Sequence, residues 1–142
     1  MSDDDVRSVV VRRLEHAHHE AINVRGGRLR FGTGDTQDFS PTELLLVAIA
    51  GCTGLDVDFI TTRRAEPEHF ELAMSGRKVR DEGGNHLVDL TVTFDVRFPA
   101  GPDGDAARDA LPIAIERSHE RLCTVSRTVE LGTPIETRQA AT

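Results

Sequence analysis

Two cysteines, Cys52 and Cys123, are the side chains in this 142-residue sequence best suited to covalent chemistry. A thiolate is a strong nucleophile that peroxides oxidise to sulfenic acid, and a second thiol can condense with that acid to a disulfide. Two cysteines are too few for the disulfide framework of a small secreted domain. The pair is therefore catalytic, redox-active or simply buried, and residue type alone leaves these three alternatives open.

Cys52 lies in the most apolar part of the chain, inside a predicted helix. Spacings of three and four place it on a stripe with Leu45, Ala48, Ile49, Leu55 and Phe59. A cysteine on such a stripe is often a small core residue. Gly51 and Gly54 argue against that interpretation, because each costs about 1 kcal/mol relative to Ala inside a helix. Such a cost indicates that another group approaches the backbone closely, and Asp56 interrupts the stripe one turn after the thiol.

Cys123 lies within the charged segment 118–128, which reads SHERLCTVSRT. If this segment is helical, His119 and Arg127 lie four residues on either side of the thiol. Cationic neighbours favour the thiolate, which is the reactive form of cysteine. The alternative is that the charged residues form a solvated face and Cys123 packs in the core.

The first half of the chain predicts three strands followed by one long helix. Val-rich alternation with a turn-like Arg25-Gly-Gly-Arg28 predicts strands over 6–14, 20–24 and 28–31. Ser40-Pro-Thr-Glu43 combines an N-cap, a proline suited to the first helical position and a capping-box glutamate. It predicts a helix over 41–64, apolar on all sides and therefore buried on all sides.

The second half of the chain predicts a β-hairpin followed by helices. Apolar residues alternate with polar ones from Phe70 to Phe98, which predicts an antiparallel hairpin over 70–98. Helical spacing over 105–132 is interrupted at Pro112, where we expect a break, and residues 135–138 could form a last strand, so that helices and strand together cover 105–138. No linker divides the sequence. The order of strands, long helix, hairpin and helices therefore predicts a single α+β domain over residues 1–142.

Composition disfavours several classes of protein. A formal net charge of −7 and 4% aromatic residues disfavour nucleic-acid binding, which needs a basic face. The acidic start of the chain differs from the basic start of a secretory signal, and the most apolar window is shorter than the about 20 residues that span a bilayer. We therefore expect a cytoplasmic protein without a membrane segment. His16, His18 and His19 lack a metal-binding motif, and we expect neither a metal nor an organic cofactor.

The two cysteine-containing segments together closely resemble the OsmC/Ohr family, the osmotically induced and organic hydroperoxide resistance proteins. The first segment, SPTELLLVAIAGCT over 40–53, is followed by the segment over 118–128, with the predicted hairpin between them. The order is that of the family, and the resemblance covers nearly the whole chain. It implies an α+β fold with an antiparallel sheet and a long central helix, in subunits that intertwine as a homodimer with sites at the interface.

The resemblance also implies a chemistry, since active members of the family are thiol peroxidases that prefer organic hydroperoxides. By position, Cys52 resembles the peroxidatic cysteine and Cys123 the resolving cysteine. An external dithiol, such as a lipoyl group, or a small thiol would then reduce the disulfide. Arg25 is the nearest match to an arginine that holds the first cysteine as thiolate, and Arg28 and Arg30 are alternatives.

Two residues depart from the pattern of the peroxidases. Thr42 stands where they carry a glutamate that orients the arginine, and Glu43 is rotated about 100° around the helix from that position. Thr124 stands where many members have proline. These departures resemble the OsmC-like branch of the family. Besides a peroxidase, two alternatives stay open, a non-enzymatic protein that binds a small apolar ligand and a redox sensor.

Overall fold

The computed structural model describes residues 5–141, with helices and antiparallel sheets that confirm the predicted α+β class. The chain forms two compact units, Met1–Leu45 and Leu46–Thr142. The single domain over residues 1–142 stays a prediction. Its two ends, residues 1–4 and residue 142, lie outside the described residues.

The first unit contains an antiparallel sheet of three consecutive strands, which confirms the three predicted strands with small shifts at their ends. They are β1 (Val9–Glu15), β2 (His18–Asn23) and β3 (Arg28–Gly32). The turn between β2 and β3 is closed by the side chain of Asn23, whose oxygen accepts the N–H groups of Arg25 and Gly27 at 3.0 and 2.8 Å. Arg25 is therefore held at an exposed turn.

The capping box predicted at the start of the long helix is present. The Glu43 N–H donates to the Ser40 hydroxyl at 3.2 Å, and the Ser40 N–H donates back to the Glu43 carboxylate at 3.0 Å. These hydrogen bonds to Ser40 hold the pKa of Glu43 below its ordinary value. The carboxylate of Glu43 is thus engaged at the helix end, as the sequence predicts.

Helix α1 (Pro41–Thr61) ends earlier than predicted, and its buried face differs from the predicted stripe. Its buried residues recur every fourth position at Ile49, Thr53, Val57 and Thr61, together with Gly54. Leu55 and Phe59, which belong to the predicted stripe, are 60% and 69% exposed. The prediction was wrong because a run of apolar residues on all sides gives no signal of which side faces its own chain.

Helix α1 is also long and apolar enough to cross a membrane, with a mean hydropathy of 1.8 over its most apolar window. Central helices of soluble proteins meet the same criterion of length and composition, so a single such helix is weak evidence for a membrane span. The absence of a membrane segment and the cytoplasmic location stay predictions.

The predicted hairpin is confirmed as strands β4 (His69–Asp81) and β5 (Gly84–Arg97). Helix α1 approaches β4 closely at Gly54, where a Cβ atom would lie 3.3 Å from the side chain of Leu72. This confirms the close approach expected at that glycine. A Cβ atom at Gly51 would have no neighbour within 4 Å, so the described chain itself does not approach the backbone closely there.

The C-terminal part contains helix α2 (Pro102–Arg117), a π-helical turn (Ser118–Leu122) and helix α3 (Thr124–Leu131). The break expected at Pro112 was wrong, because α2 continues through it and forgoes only the hydrogen bond that proline cannot donate. The last strand expected over 135–138 was also wrong. The described residues after α3 form neither helix nor strand, and Ile135 is 91% exposed.

Candidate active site

The two cysteines predicted to react together lie side by side in the second unit. The Sγ atoms of Cys52 and Cys123 and a carboxylate oxygen of Asp56 all lie within 4.8 Å of one another. Helix α1 supplies Cys52 and Asp56, which are four residues apart and so share one helix face. The junction between the π-helical turn and α3 supplies Cys123.

The π-helical turn sets the position of Cys123. The backbone N–H of Cys123 donates to the carbonyl of Ser118 at 2.9 Å. The backbone of Cys123 is extended, and this residue is the N-cap of α3. The Cys123 sulfur accepts the N–H of Ser126 at 3.4 Å, and its thiol donates to the Ser126 hydroxyl at 3.2 Å. Cys123 is 2% exposed, so its sulfur is held in a buried, hydrogen-bonded position.

The continuous helix that would place cations on either side of Cys123 is absent. The chain leaves the helical path at Cys123, where ψ is 98°, so a spacing of four no longer places a side chain beside the thiol. His119 instead lies 3.6 Å from the carboxylate of Glu130, and Arg127 is exposed on α3. The expectation of a flanking histidine and arginine was therefore wrong, because a π-helical turn and a new N-cap interrupt the helix.

A chain of hydrogen bonds that the sequence analysis missed holds Asp56 beside the sulfurs. The Ser118 hydroxyl donates to the Asp56 carboxylate at 2.8 Å and lies 2.7 Å from the Thr53 hydroxyl. Since Ser118 gives its proton to Asp56, it accepts the proton of Thr53. Ser118 is fully buried and Thr53 is 5% exposed. The hydroxyl of Thr53 on the otherwise apolar α1 is the signal in the sequence that could have revealed this chain of hydrogen bonds, because buried hydroxyls need hydrogen-bond partners.

The electrostatic surroundings of Cys52 favour the neutral thiol. Partial burial is the main cause that raises the pKa of Cys52, and the neighbouring Cys123 and Asp56 raise it further. The backbone of Val125 lowers this pKa by hydrogen bonding. Among the described residues of the second unit, no cationic side chain is a source of the pKa shift.

The first turn of α3 faces both sulfurs with backbone N–H groups. Val125 acts on the Cys52 sulfur, and Ser126 donates to the Cys123 sulfur. The N-terminus of a helix carries a partial positive charge and lowers the pKa of nearby thiols. The Val125 backbone at this helix end thus partly opposes the effect of burial on the pKa of Cys52.

Arg25 lies in the first unit, at the exposed turn between β2 and β3, and its role at the thiol stays a prediction. The two alternative arginines differ in their surroundings. Arg28 donates to the carboxylate of Glu20 at 2.8 Å. Within the described part of the first unit, Arg25 and Arg30 form no side-chain ion pair, so either guanidinium is free of a carboxylate from that unit.

An open apolar groove of about 570 Å³ follows the side of α1 that includes Gly51, the residue before Cys52. It is lined by Val47, Ala50, Gly51, Gly54, Leu55, Asp58, Phe70 and Leu72. Its lining is almost entirely apolar, which suits a hydrocarbon group rather than an ion.

Comparison with known proteins decides the family. The sequence model of the family described as OsmC-like protein matches residues 32–138, a stretch that contains both cysteines. The chain belongs to the OsmC-like protein family. This confirms the resemblance seen in the two cysteine-containing segments.

Other members and neighbours agree with that assignment. An uncharacterized protein of Mycobacterium tuberculosis is 31% identical to this OsmC-like protein over 115 residues, which cover 80% of this chain and 81% of the relative. An OsmC-like protein from Mycoplasma pneumoniae shares the fold with a TM-score of 0.70 and 14% identity, covering 89% of each chain. The organic hydroperoxide resistance protein OhrB of Bacillus subtilis has a TM-score of 0.52 and 18% identity, covering 87% of this chain and 90% of OhrB.

Proposed function

We propose that this OsmC-like protein is a cysteine-dependent peroxidase that reduces organic hydroperoxides in defence against oxidative stress. The observation that carries the proposal is the proximity of the Cys52 and Cys123 sulfurs, within 4.8 Å across 71 positions of sequence, from 52 to 123. The shared fold with OhrB, a protein named for organic hydroperoxide resistance, supports the same chemistry.

The different exposure of the two cysteines supports different roles. Cys52 is half-buried and Cys123 is 2% exposed, so a peroxide reaches Cys52 first. The Cys52 thiolate attacks one peroxide oxygen, the O–O bond breaks, and the leaving alkoxide takes up a proton to become an alcohol. Cys52 is thereby oxidised to sulfenic acid.

Cys123 then completes the oxidation. Its sulfur attacks the sulfenic sulfur of Cys52, a disulfide forms, and the hydroxyl leaves as water. The S–S bond of about 2.05 Å requires the two sulfurs to approach from their present separation. An external dithiol, such as a lipoyl group, then reduces the disulfide and restores both thiols. A reducing cytoplasm is the compartment that fits this cycle.

One feature of the second unit supports formation of the Cys52 thiolate. It is the Val125 backbone at the N-terminus of α3, which lowers the pKa of Cys52. The family resemblance implies an arginine in addition, for which Arg25 stays the first candidate. A guanidinium is always charged and favours a neighbouring thiolate.

The apolar groove along α1 supports an organic substrate. Its volume of about 570 Å³ lies in the range of small-molecule sites, and its lining would bury the alkyl or aryl part of a hydroperoxide. Hydrogen peroxide has no alkyl or aryl part, so the groove does not contribute to its binding.

The proposal predicts rapid turnover with an organic hydroperoxide. One equivalent of cumene hydroperoxide should remove both thiols of the reduced chain, and added dihydrolipoamide should sustain consumption of further peroxide. Thiol titration and a peroxide assay measure the two steps, with hydrogen peroxide as the comparison substrate. Thiol loss without turnover would instead indicate a redox sensor. Unchanged thiols would indicate the ligand-binding alternative and contradict the proposal.

We also propose that the protein is a homodimer, because the single chain leaves large apolar side chains exposed. Val9, Val10 and Val11 of β1 are 66%, 54% and 51% exposed, and Leu55 and Phe59 of α1 are 60% and 69% exposed. Leu55 and Phe59 are four residues apart on one face of α1, and exposed apolar surface of this kind is typical of an interface between protein chains. A second copy of the chain is the occupant that the family resemblance implies.

Light scattering in dilute buffer tests the homodimer. We expect twice the 15.6 kDa mass of one chain. Phe59→Glu should shift the mass toward a single chain, because a buried unpaired carboxylate is costly at an interface. The exposed Glu66 offers a matched control, since Glu66→Gln changes one charge without touching this apolar surface. A wild-type mass of one chain would contradict the proposal.

A further inference from the structure

We propose that Cys52, Cys123 and Asp56 form a binding site for Zn²⁺. Their two sulfurs and one carboxylate oxygen already lie within 4.8 Å of one another. With Zn–S bonds of about 2.3 Å and Zn–O bonds of about 2.0–2.2 Å, the ligand atoms of a tetrahedral zinc site lie roughly 3.5–3.8 Å apart. Small rotations of the three side chains are sufficient to reach that geometry.

The chemistry of the three ligands selects the metal. Two thiolates favour zinc and other thiophilic cations over Mg²⁺ and Ca²⁺, which prefer oxygen ligands. Zinc sites with three protein ligands keep the fourth position for water or another small ligand. Cys52 is half-buried, so solvent can supply that fourth ligand.

Neighbouring groups already hold two of the three ligands in place. The fully buried Ser118 donates to one oxygen of Asp56, which leaves lone pairs of the carboxylate for a metal. Ser126 donates its N–H to the sulfur of Cys123. Hydrogen bonds of this kind orient metal ligands and raise the affinity of a site.

The site would also be electrostatically complementary to a cation. Asp56 places a carboxylate next to two sulfurs, and both thiols give up their protons when they bind a metal. A divalent cation between the three groups would therefore contact three anionic ligands at once.

Zinc binding would regulate the peroxidase. Binding itself requires only the three ligands, and it releases one proton from each thiol. The regulation rests on the proposed function, because a Cys52 sulfur bound to Zn²⁺ is less available to attack a peroxide. Oxidation of the two cysteines to a disulfide would in turn remove two ligands and release the metal.

Competition with a chromophoric chelator, on the reduced full-length chain, tests the site. We expect one Zn²⁺ per chain. Loss of a single outer-shell hydrogen bond typically weakens a metal site about 10–100-fold, so Asp56→Asn, Cys52→Ser and Cys123→Ser should each weaken it at least that much. Asp109→Asn removes an equal charge from the exposed surface of α2 and should bind Zn²⁺ like the wild type. Co²⁺ should give a thiolate-to-metal charge-transfer band that both serine variants reduce.

Three results would overturn the inference. They are the absence of binding at micromolar Zn²⁺, an unchanged affinity in the Asp56 and cysteine variants, and binding that only a His18→Ala variant of the N-terminal sheet removes. Circular dichroism shows whether each variant is folded. Peroxide turnover without zinc binding would refute the site and leave the proposed function intact. Zinc binding without peroxide turnover would refute the proposed function and leave the site intact.

Discussion

Replacing Cys52 by serine should abolish the consumption of organic hydroperoxide, because the hydroxyl of serine is not a nucleophile toward peroxides at neutral pH. Cys123→Ser should leave the first oxidation of Cys52 intact, since Cys123 enters only after the sulfenic acid has formed. Without its partner, the sulfenic acid of Cys52 should proceed to sulfinic acid at excess peroxide. The wild type should instead stop at an intramolecular disulfide, as the proximity of the two sulfurs favours.

Intact-mass spectrometry after peroxide addition measures both effects. We expect a loss of two hydrogens in the wild type and a gain of two oxygens in Cys123→Ser. Cys52→Ser should keep its mass at equimolar peroxide, because Cys123 is 2% exposed and holds a hydrogen bond to Ser126. Equal oxidation of the two single-cysteine variants, or a wild type that forms no disulfide, would contradict the assigned roles.

Replacing Asp56 by asparagine should make Cys52 react faster at neutral pH. The Asp56 carboxylate raises the pKa of Cys52, although partial burial is the larger cause. Asparagine removes the charge and can still accept the hydrogen bond of Ser118 through its amide oxygen. The pKa of Cys52 should fall, and each unit of decrease raises the thiolate population about tenfold at pH values below the pKa.

The pH dependence of the rate gives the sign of this effect. In the wild type, the rate of Cys52 oxidation should rise with pH toward a raised pKa, because the thiolate is the reactive form. The pH profile of Asp56→Asn should be displaced toward lower pH. It should meet the wild-type rate at pH values where Cys52 is fully ionised in both proteins. Stopped-flow oxidation by cumene hydroperoxide across a pH series measures both profiles, with Asp109→Asn as the charge-matched control.

A slower Asp56→Asn variant would contradict this electrostatic account and indicate that Asp56 takes part in proton transfer. The same variant should bind Zn²⁺ more weakly. Faster oxidation and weaker metal binding are opposite effects of one substitution. Since unfolding of the site would also expose Cys52 and lower its pKa, circular dichroism must show that the variant is folded. The pair of measurements thus separates the charge of Asp56 from a structural role.

The elements with strong local signals could be predicted from the sequence. The hairpin follows from strict alternation of apolar and polar residues, and the start of α1 follows from four adjacent residues, Ser40-Pro-Thr-Glu43. Both signals depend on interactions between near neighbours in the chain. The cysteine pair was predicted differently, from the resemblance of two segments to the OsmC/Ohr family.

Only the tertiary structure decided which groups surround the two thiols. An entirely apolar α1 does not encode which of its sides faces its own chain, so the buried stripe through Thr53 and Val57 became visible only in the fold. The charge pattern around Cys123 predicted flanking cations, but the π-helical turn and the N-cap of α3 put backbone N–H groups there instead. The hydrogen bond from Ser118 to Asp56 joins residues 62 positions apart. Contacts over such separations depend on the packing of whole elements, and the spacing of residues along one helix cannot specify them.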